Sequence, residues 1–229
     1  MERYLVFTLS AAIGAMAIKP GTSEKGSQQW PARSAILGLL CNAMGLERGE
    51  MVARDRVQDF GVAVGVHAVE PAFVDFQTTR VVSNSVRKRM PEKLPSRAEF
   101  LHRAGRDVDF VISHRNYHTG LLYSVALWDG DLEAAEAALR QPARPLYLGR
   151  KCCSLSAPAA PRLVEAETPV EALSHAKLPP AAQHPLRKVI SDTHPRLRGS
   201  TTWYHDDPVC PEKWLFRQRP ATLIHMENS

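Results

Sequence analysis

Arg3–Leu9 (RYLVFTL) carries strand-forming residues without a break, the pattern of a buried first strand. Ser10–Gln29 is small, polar and without periodicity, with Lys19 and Lys25, which predicts a long loop. The period then changes. Ile36, Leu37, Leu39, Leu40, Ala43 and Met44 recur at helical spacing, Pro31 suits a first helical position, and Gly45 suits the residue that ends the helix. Glu47–Asp59 is charged and predicts a short helix. Phe60–Val69 (FGVAVGVHAV) alternates as a second strand, and Phe73–Phe76 begins a third. Strand, helix, strand, strand is the opening of a ferredoxin-like fold.

Residues 80–115 break this pattern. Nine cations (Arg80, Arg87, Lys88, Arg89, Lys93, Arg97, Arg103, Arg106, Arg115) face four acids (Glu92, Glu99, Asp107, Asp109), and Pro91 and Pro95 interrupt the stretch. So few apolar residues cannot pack deeply, which predicts a protruding basic arm suited to a nucleic-acid backbone. The alternative is a solvated insertion.

Leu121–Trp128 (LLYSVALW) is a further strand. Asp129-Gly130-Asp131 is a turn and cap, and Leu132–Arg140 is an Ala-rich helix stopped by Gln141–Pro145. Leu146–Cys153 reads as a short strand running into a basic turn hinged at Gly149. Beyond Leu155, Ala and Pro dominate: Ala159–Ala182 has weak helical character, Leu186–Arg198 is basic, and Trp214–Arg219 and Thr222–His225 read as edge strands. The expectation is one α+β domain over 1–229, a ferredoxin-like (RRM-like) palm with a protruding basic insertion and a loop-rich C-terminal part at 156–229.

A hydrophobic content of 44% supports a true core. The formal charge of +5 and pI of about 9.2 favour a polyanionic partner. Cys41, Cys152, Cys153 and Cys210 form no C-x-x-C pair, which argues against a thiolate zinc site and for reduced thiols. The charged start at Glu2 and Arg3 is not a signal peptide, and no run reaches the roughly 18 apolar residues of a membrane span. A cytoplasmic protein without cofactor is expected.

Catalytic signals are weak. His114 and His118 lack a third metal ligand, and no G-x-S-x-G or phosphate-binding G-x-x-x-x-G-K-[ST] stretch occurs. A metal-independent ribonuclease would have to draw on Tyr4, Tyr117, His118 and Lys151. Binding signals are stronger. Arg33 and Ser34 sit in the first turn of a helix, where unpaired N–H groups favour an anion, either a phosphate or a carboxylate from elsewhere in the fold. Arg150 and Lys151 flank Gly149, which permits close backbone approach to a ligand. Trp30 and Tyr147 can stack on unpaired bases or pack in the core.

Four blocks then resemble one family in register. Trp30-Pro-Ala-Arg-Ser-Ala-Ile-Leu-Gly-Leu-Leu is similar to the F-P-T-R-S-x-L-L-G-L-L signature of the CasD subunit of type I-E CRISPR Cascade. Asp75-Phe-Gln-Thr resembles its D-Y-H-T, the block from Ser113 through Leu127 its T-x-R-x-Y-L-x-D-A-x-F-x-V-A-L, and Arg144–Leu155 its P-Y-L-G-R-R-S-C-P-L turn. The resemblance implies a repeat-associated RNA-binding fold whose thumb is the arm at 76–112. It implies a non-catalytic subunit that caps the 5′ handle of the CRISPR RNA for antiviral defence. Contacts with the backbone (CasC) and large (CasA) subunits follow, and with target DNA through the complex. The alternative is an endoribonuclease processing precursor CRISPR RNA. The RNA contacts expected are Lys25, Trp30, Arg33, Ser34, Arg80, Arg87, Lys88, Arg89, Arg115, Tyr147, Gly149, Arg150 and Lys151. Two departures stand out: Ala11–Ala17 replaces the family's G-P-x-Q-A-W-G, and Gln77 replaces its His.

Overall fold

The computed structural model describes residues 1–17, 24–47, 49–89, 96–210 and 215–226. The side chains of 17, 24, 25, 51–54 and 210 are outside that description, as are Lys19, Pro91, Glu92, Lys93, Pro95 and Trp214 of the sequence reading.

The long strands are β1 (Glu2–Gly14), β5 (Gly61–Val82), β6 (Val108–Trp128), β7 (Arg162–Ala166), β8 (Lys188–Asp192), β9 (Ser200–Cys210) and β10 (Leu215–His225). They form one sheet in the order β7-β1-β6-β5-β8-β10-β9, every neighbouring pair antiparallel. The short strands β2 (Met16–Ala17) and β4 (Ser27–Gln28) pair with each other, and β3 (Glu24–Lys25) runs parallel to β6 beside His114 and Arg115.

Helices α1 (Arg33–Ala43) and α5 (Leu132–Arg140) cover one face of the sheet, where Ile36, Leu40, Leu132 and Leu139 pack on Leu5, Phe7, Val64, Tyr123 and Val125. The helix ends follow local rules. In α1 the N–H of Leu46 bonds Cys41 O and that of Gly45 bonds Asn42 O, and Gly45 has a φ of 75°. That is the Schellman stop anticipated for Gly45. Pro31 instead lies one residue before the cap, Ala32, because helical geometry begins at Arg33. In α5 the Asp131 carboxylate accepts from Ala134 N–H at 3.0 Å. The opposite face carries Tyr4, Val6, Ala63, Ala126 and Trp128 under Ala172 and Leu173 of α6 (Pro169–Ser174). Helix α2 (Met51–Gln58) fills the predicted helical stretch before β5.

Three expectations need correction. Ser10–Gln29 is not one loop: β1 continues to Gly14, with Ala11 paired to Leu121 and Gly14 to His118, and short strands follow. Small residues there are strand positions under close neighbours rather than loop filler. Second, the strand begun at Phe73 is the continuation of β5, a 22-residue strand that passes straight through Pro71. Register shifts between Val66 and Ala72 absorb the proline's missing donor. Third, the C-terminal part is not loop-rich. It supplies β7, α6, β8, β9 and β10, and β10 is an interior strand between β8 and β9. Pro208 and Pro220 masked this alternation, and both sit in paired strands beside register breaks.

β5 and β6 also outrun the core. From Glu70 to Val82, and back from Val108 to Asn116, the pair continues as a largely solvent-exposed ribbon. Its far end carries α3 (Asn84–Arg87) and α4 (Arg97–Ala104), and Arg97 Nη2 donates to Arg80 O at 2.7 Å to tie α4 to the ribbon.

Candidate nucleic-acid interface

Arg33 shows how the C-terminal strands change the reading of the N-terminal half. Its Nε donates to Asp192 at 3.0 Å, its Nη1 to Asp207 at 2.9 Å, and its Nη2 to the carbonyls of Gln58 and Phe60 at 2.7 and 3.0 Å. Its backbone N–H donates to Asp206 at 2.8 Å, so a carboxylate occupies the helix mouth. Arg219 pairs with Asp192 and Asp206, and Arg217 with Asp207. Burial pushes the Asp192 carboxyl up, against the pull of Arg219 and Arg33. The carboxylate alternative for Arg33 therefore holds, and the phosphate alternative does not: four of its guanidinium N–H groups are already engaged by protein. Ser34 beside it is half-buried.

Trp30 also packs inward. Its ring meets Tyr204 edge-on at 6.0 Å, and Lys188 Nζ lies 4.2 Å from its centre, so core packing rather than an open stacking platform describes it.

The second cationic place differs. At the base of the ribbon, Tyr117 stacks on Phe73, with ring centres 5.2 Å apart and planes 11° apart. The Arg150 guanidinium lies over the Tyr117 ring at 4.5 Å. Arg115, two residues before Tyr117 on β6, shares its face of the ribbon. Arg115 Nε and Arg150 Nη1 are both buried, and neither has a hydrogen-bond partner among the described residues. A buried guanidinium N–H without an acceptor costs about 1–3 kcal/mol, which an anion placed there would recover.

The turn carrying Arg150 is rigidly anchored. Leu148 N–H bonds Cys153 O, Cys153 N–H bonds Arg150 O, and Ala15 N–H bonds Leu148 O at 2.8, 2.8 and 3.2 Å. Gly149 has a φ of 82°, and a Cβ there would stand 1.7 Å from Ala15 O. Its close approach is thus to the chain's own backbone at Ala15, just after β1, not to a ligand as expected. Tyr147 is half-buried and bridges to Ser154. Lys151 is exposed beside Arg150. Lys25 joins the same place by its backbone, paired with Arg115, while its side chain lies outside the described residues. Next to the turn, burial lifts the Cys153 thiol to about 11, and Cys152 lies exposed with its sulfur 3.9 Å away.

Arg80, Arg87, Lys88 and Arg89 are exposed on the ribbon and its far end. One ribbon face presents Val74, Phe76 and Arg80 across from Asn116, His114 and Phe110. Phe76 and Phe110 are 59% and 60% exposed, His114 lies against Phe76, and Arg80 lies 6.0 Å above Phe110. Sequence reading overlooked these aromatics. Their signal was strand-like alternation continuing into a segment read as an apolar-poor arm.

The ribonuclease ingredients are scattered. Tyr4 belongs to the core on the face away from α1, bonded to Glu2 and His194, and burial raises its pKa. Tyr117 and His118 are consecutive strand residues and point to opposite faces. His118 lies buried, its ring nitrogens 3.4 and 3.1 Å from the carbonyls of Glu70 and Ser27.

Among the described residues no helix is long and apolar enough to cross a membrane. No protein with a curated description matches the chain. Solved structures share its fold, two of them as follows. One, a chain of a CRISPR RNA-guided surveillance complex, has a TM-score of 0.70 and 19% identity over 98% of this chain and 90% of its own. The other, the crystal structure of a Cas protein, has a TM-score of 0.63 and 18% identity over 97% and 94%. Residues 4–220 match the family model for CRISPR-associated protein (Cas_Cas5), and the chain therefore belongs to the Cas5 family of CRISPR-associated proteins.

Proposed function

We propose that this chain is a subunit of a type I-E Cascade surveillance complex that holds the 5′ handle of the CRISPR RNA without cutting it. The observation that carries the reading is the pair of unsatisfied guanidiniums, Arg115 and Arg150, around the Tyr117–Phe73 stack. Two half-buried arginines, each with one buried and unpartnered nitrogen, beside stacked rings suit a phosphate and its neighbouring base. The chain order strand–helix–strand–strand–helix–strand from β1 to β7, with spatial order β7-β1-β6-β5, suits a ferredoxin-like palm. The ribbon from Glu70 to Tyr117 is then the thumb, longer at both ends than 76–112, and its exposed Phe76, Phe110 and Arg80 lie on the face opposite Tyr117 and Arg115. The four motif blocks support the type I-E assignment, with CasC and CasA as neighbours in the cytoplasm.

A holder rather than a nuclease is supported by the separation of Tyr4 from Tyr117 and the opposed directions of Tyr117 and His118. Filter binding of the full chain to repeat RNA over a salt series tests the grip. Replacing Arg115 and Arg150 by Ala should lower the slope of log affinity on log salt by about 0.7 for each phosphate released. An unchanged slope would remove the proposal. The same RNA should stay intact on incubation; a specific cut lost in His118→Ala would make the chain a nuclease.

A further inference from the structure

An opening lies on the sheet face away from α1 and α5, where the ribbon leaves the core. It is a cavity of about 340 Å³ between β1, β5, β6 and the segment before β8. Small residues, Ala12, Ala68 and Gly120, form part of its lining. Gly120 has a φ of 54°, and a Cβ there would lie 2.6 Å from Glu70 Cδ. The glycine thus lets the Glu70 side chain lie down across the strand at the cavity. The register shifts on either side of Glu70 are part of the same arrangement.

The facing wall is pinned to the sheet. Buried His67 bonds His184 O through Nδ1 at 2.8 Å and Ser124 Oγ through Nε2 at 2.9 Å. Arg187 N–H donates to Val66 O, and Arg187 O accepts from Met226 N–H, both at 2.9 Å. The Arg187 guanidinium therefore extends from a fixed backbone. Glu70 and Arg187 both line the opening, and neither forms an ion pair among the described residues.

An acidic and a basic residue that line one small cavity without forming an ion pair suit a flat ligand with donors on one edge and acceptors on another. Among the RNA bases, only guanine presents two adjacent donors, N1–H and the N2 amino group, to a carboxylate. Its O6 and N7 are the acceptors that arginine pairs with most often. We propose that this cleft takes an unpaired guanine of the bound RNA, with Glu70 on its N1/N2 edge and Arg187 at O6 and N7. The inference rests on the RNA-holding reading above and adds a base-specific site to it.

The test is fluorescence anisotropy of the full chain with short single-stranded oligouridines that carry one central guanosine, inosine or adenosine. Inosine lacks only the N2 amino group. The guanosine oligomer should bind about tenfold tighter than the inosine one, the loss expected for one hydrogen bond to a charged group. Adenosine should be no better than inosine. Glu70→Ala should abolish the preference for guanosine over inosine. Equal binding of the guanosine and inosine oligomers, or a preference that survives Glu70→Ala, would overturn the cleft assignment. Plain oligouridine separates the two readings. If the chain binds it without guanine preference, only the cleft assignment fails. If the chain binds no oligomer, the RNA-holding reading fails and the cleft assignment with it.

Discussion

Arg33 and Arg150 are both half-buried arginines, yet they meet opposite fates. Arg33 faces Asp192 and Asp207, and two backbone carbonyls take its remaining Nη2 donors. Arg150, like Arg115 near it, keeps a buried N–H without an acceptor and leans on an aromatic ring. The difference lies in which distant strand arrives. β8 and β9 bring three aspartates to the mouth of α1, whereas the ribbon base receives Tyr117, Phe73 and the Gly149 turn. A cation already surrounded by acids holds the fold together. A cation whose donors are left over is equipped to hold something else.

The largest expected effect falls on the first region. Asp192→Ala strips a carboxylate from both Arg33 and Arg219. Removing one partner from such a buried pair should cost about 3–5 kcal/mol in denaturant unfolding. RNA affinity per folded molecule should not change; if it fell, the two regions would not be separate.

Next comes the second region. Arg115→Ala with Arg150→Ala should weaken RNA binding by about a hundredfold, roughly tenfold for each charge-assisted hydrogen bond lost. Thermal stability should hold or rise slightly, because two unsatisfied buried donors disappear. A large drop in melting temperature would show these arginines to be structural like Arg33.

Gly149→Ala sharpens the comparison from the backbone side. A Cβ at a φ of 82° that meets Ala15 O must push the turn away from Ala15. The expected cost is about 1–3 kcal/mol in unfolding, together with weaker RNA binding as Arg150 shifts. Loss of binding without loss of stability would mean that the glycine contacts RNA directly.

Two smaller effects follow. Arg87, Lys88 and Arg89 are exposed, so the triple Ala variant should change stability by no more than about 0.5 kcal/mol. It should reduce the salt slope of RNA binding only if the ribbon's far end touches the strand. The last is a pH effect at His67, where burial lowers the imidazole pKa. The unfolded chain, with an ordinary value of about 6.5, binds the proton more readily. Stability from this group is therefore present above that pH and falls as acid is added, a loss that equilibrium unfolding across pH should show and His67→Gln should remove.

Much of the sheet and its helices was legible because their signals are local. The cap at Asp131, the stop at Gly45 and the unbroken apolar runs of β1 and β6 each state their own structure. The prolines of the C-terminal part spoke against strands, and only pairing with distant partners shows how Pro208 and Pro220 are accommodated. The site divided the same way. Arg115, Arg150 and Lys151 were visible as cations in a basic chain. That Arg33 would be claimed by Asp192, Asp206 and Asp207 depended on strands more than 150 residues away, as the separation of 159 residues to Asp192 shows. The Asp206-Asp207 pair was the one hint, an acidic step in a basic region. Tyr117 and Phe73 come together by β5–β6 register, which residue type alone does not give.

The most direct measurement of the central claim is a reconstruction of the chain bound to its CRISPR RNA at side-chain resolution. A phosphate within hydrogen-bonding distance of Arg115 Nε and Arg150 Nη1, with Arg33 still bound to its aspartates, is the predicted result. Arg115 and Arg150 facing protein carboxylates, or turned from every nucleotide while Arg33 meets the RNA, would contradict it.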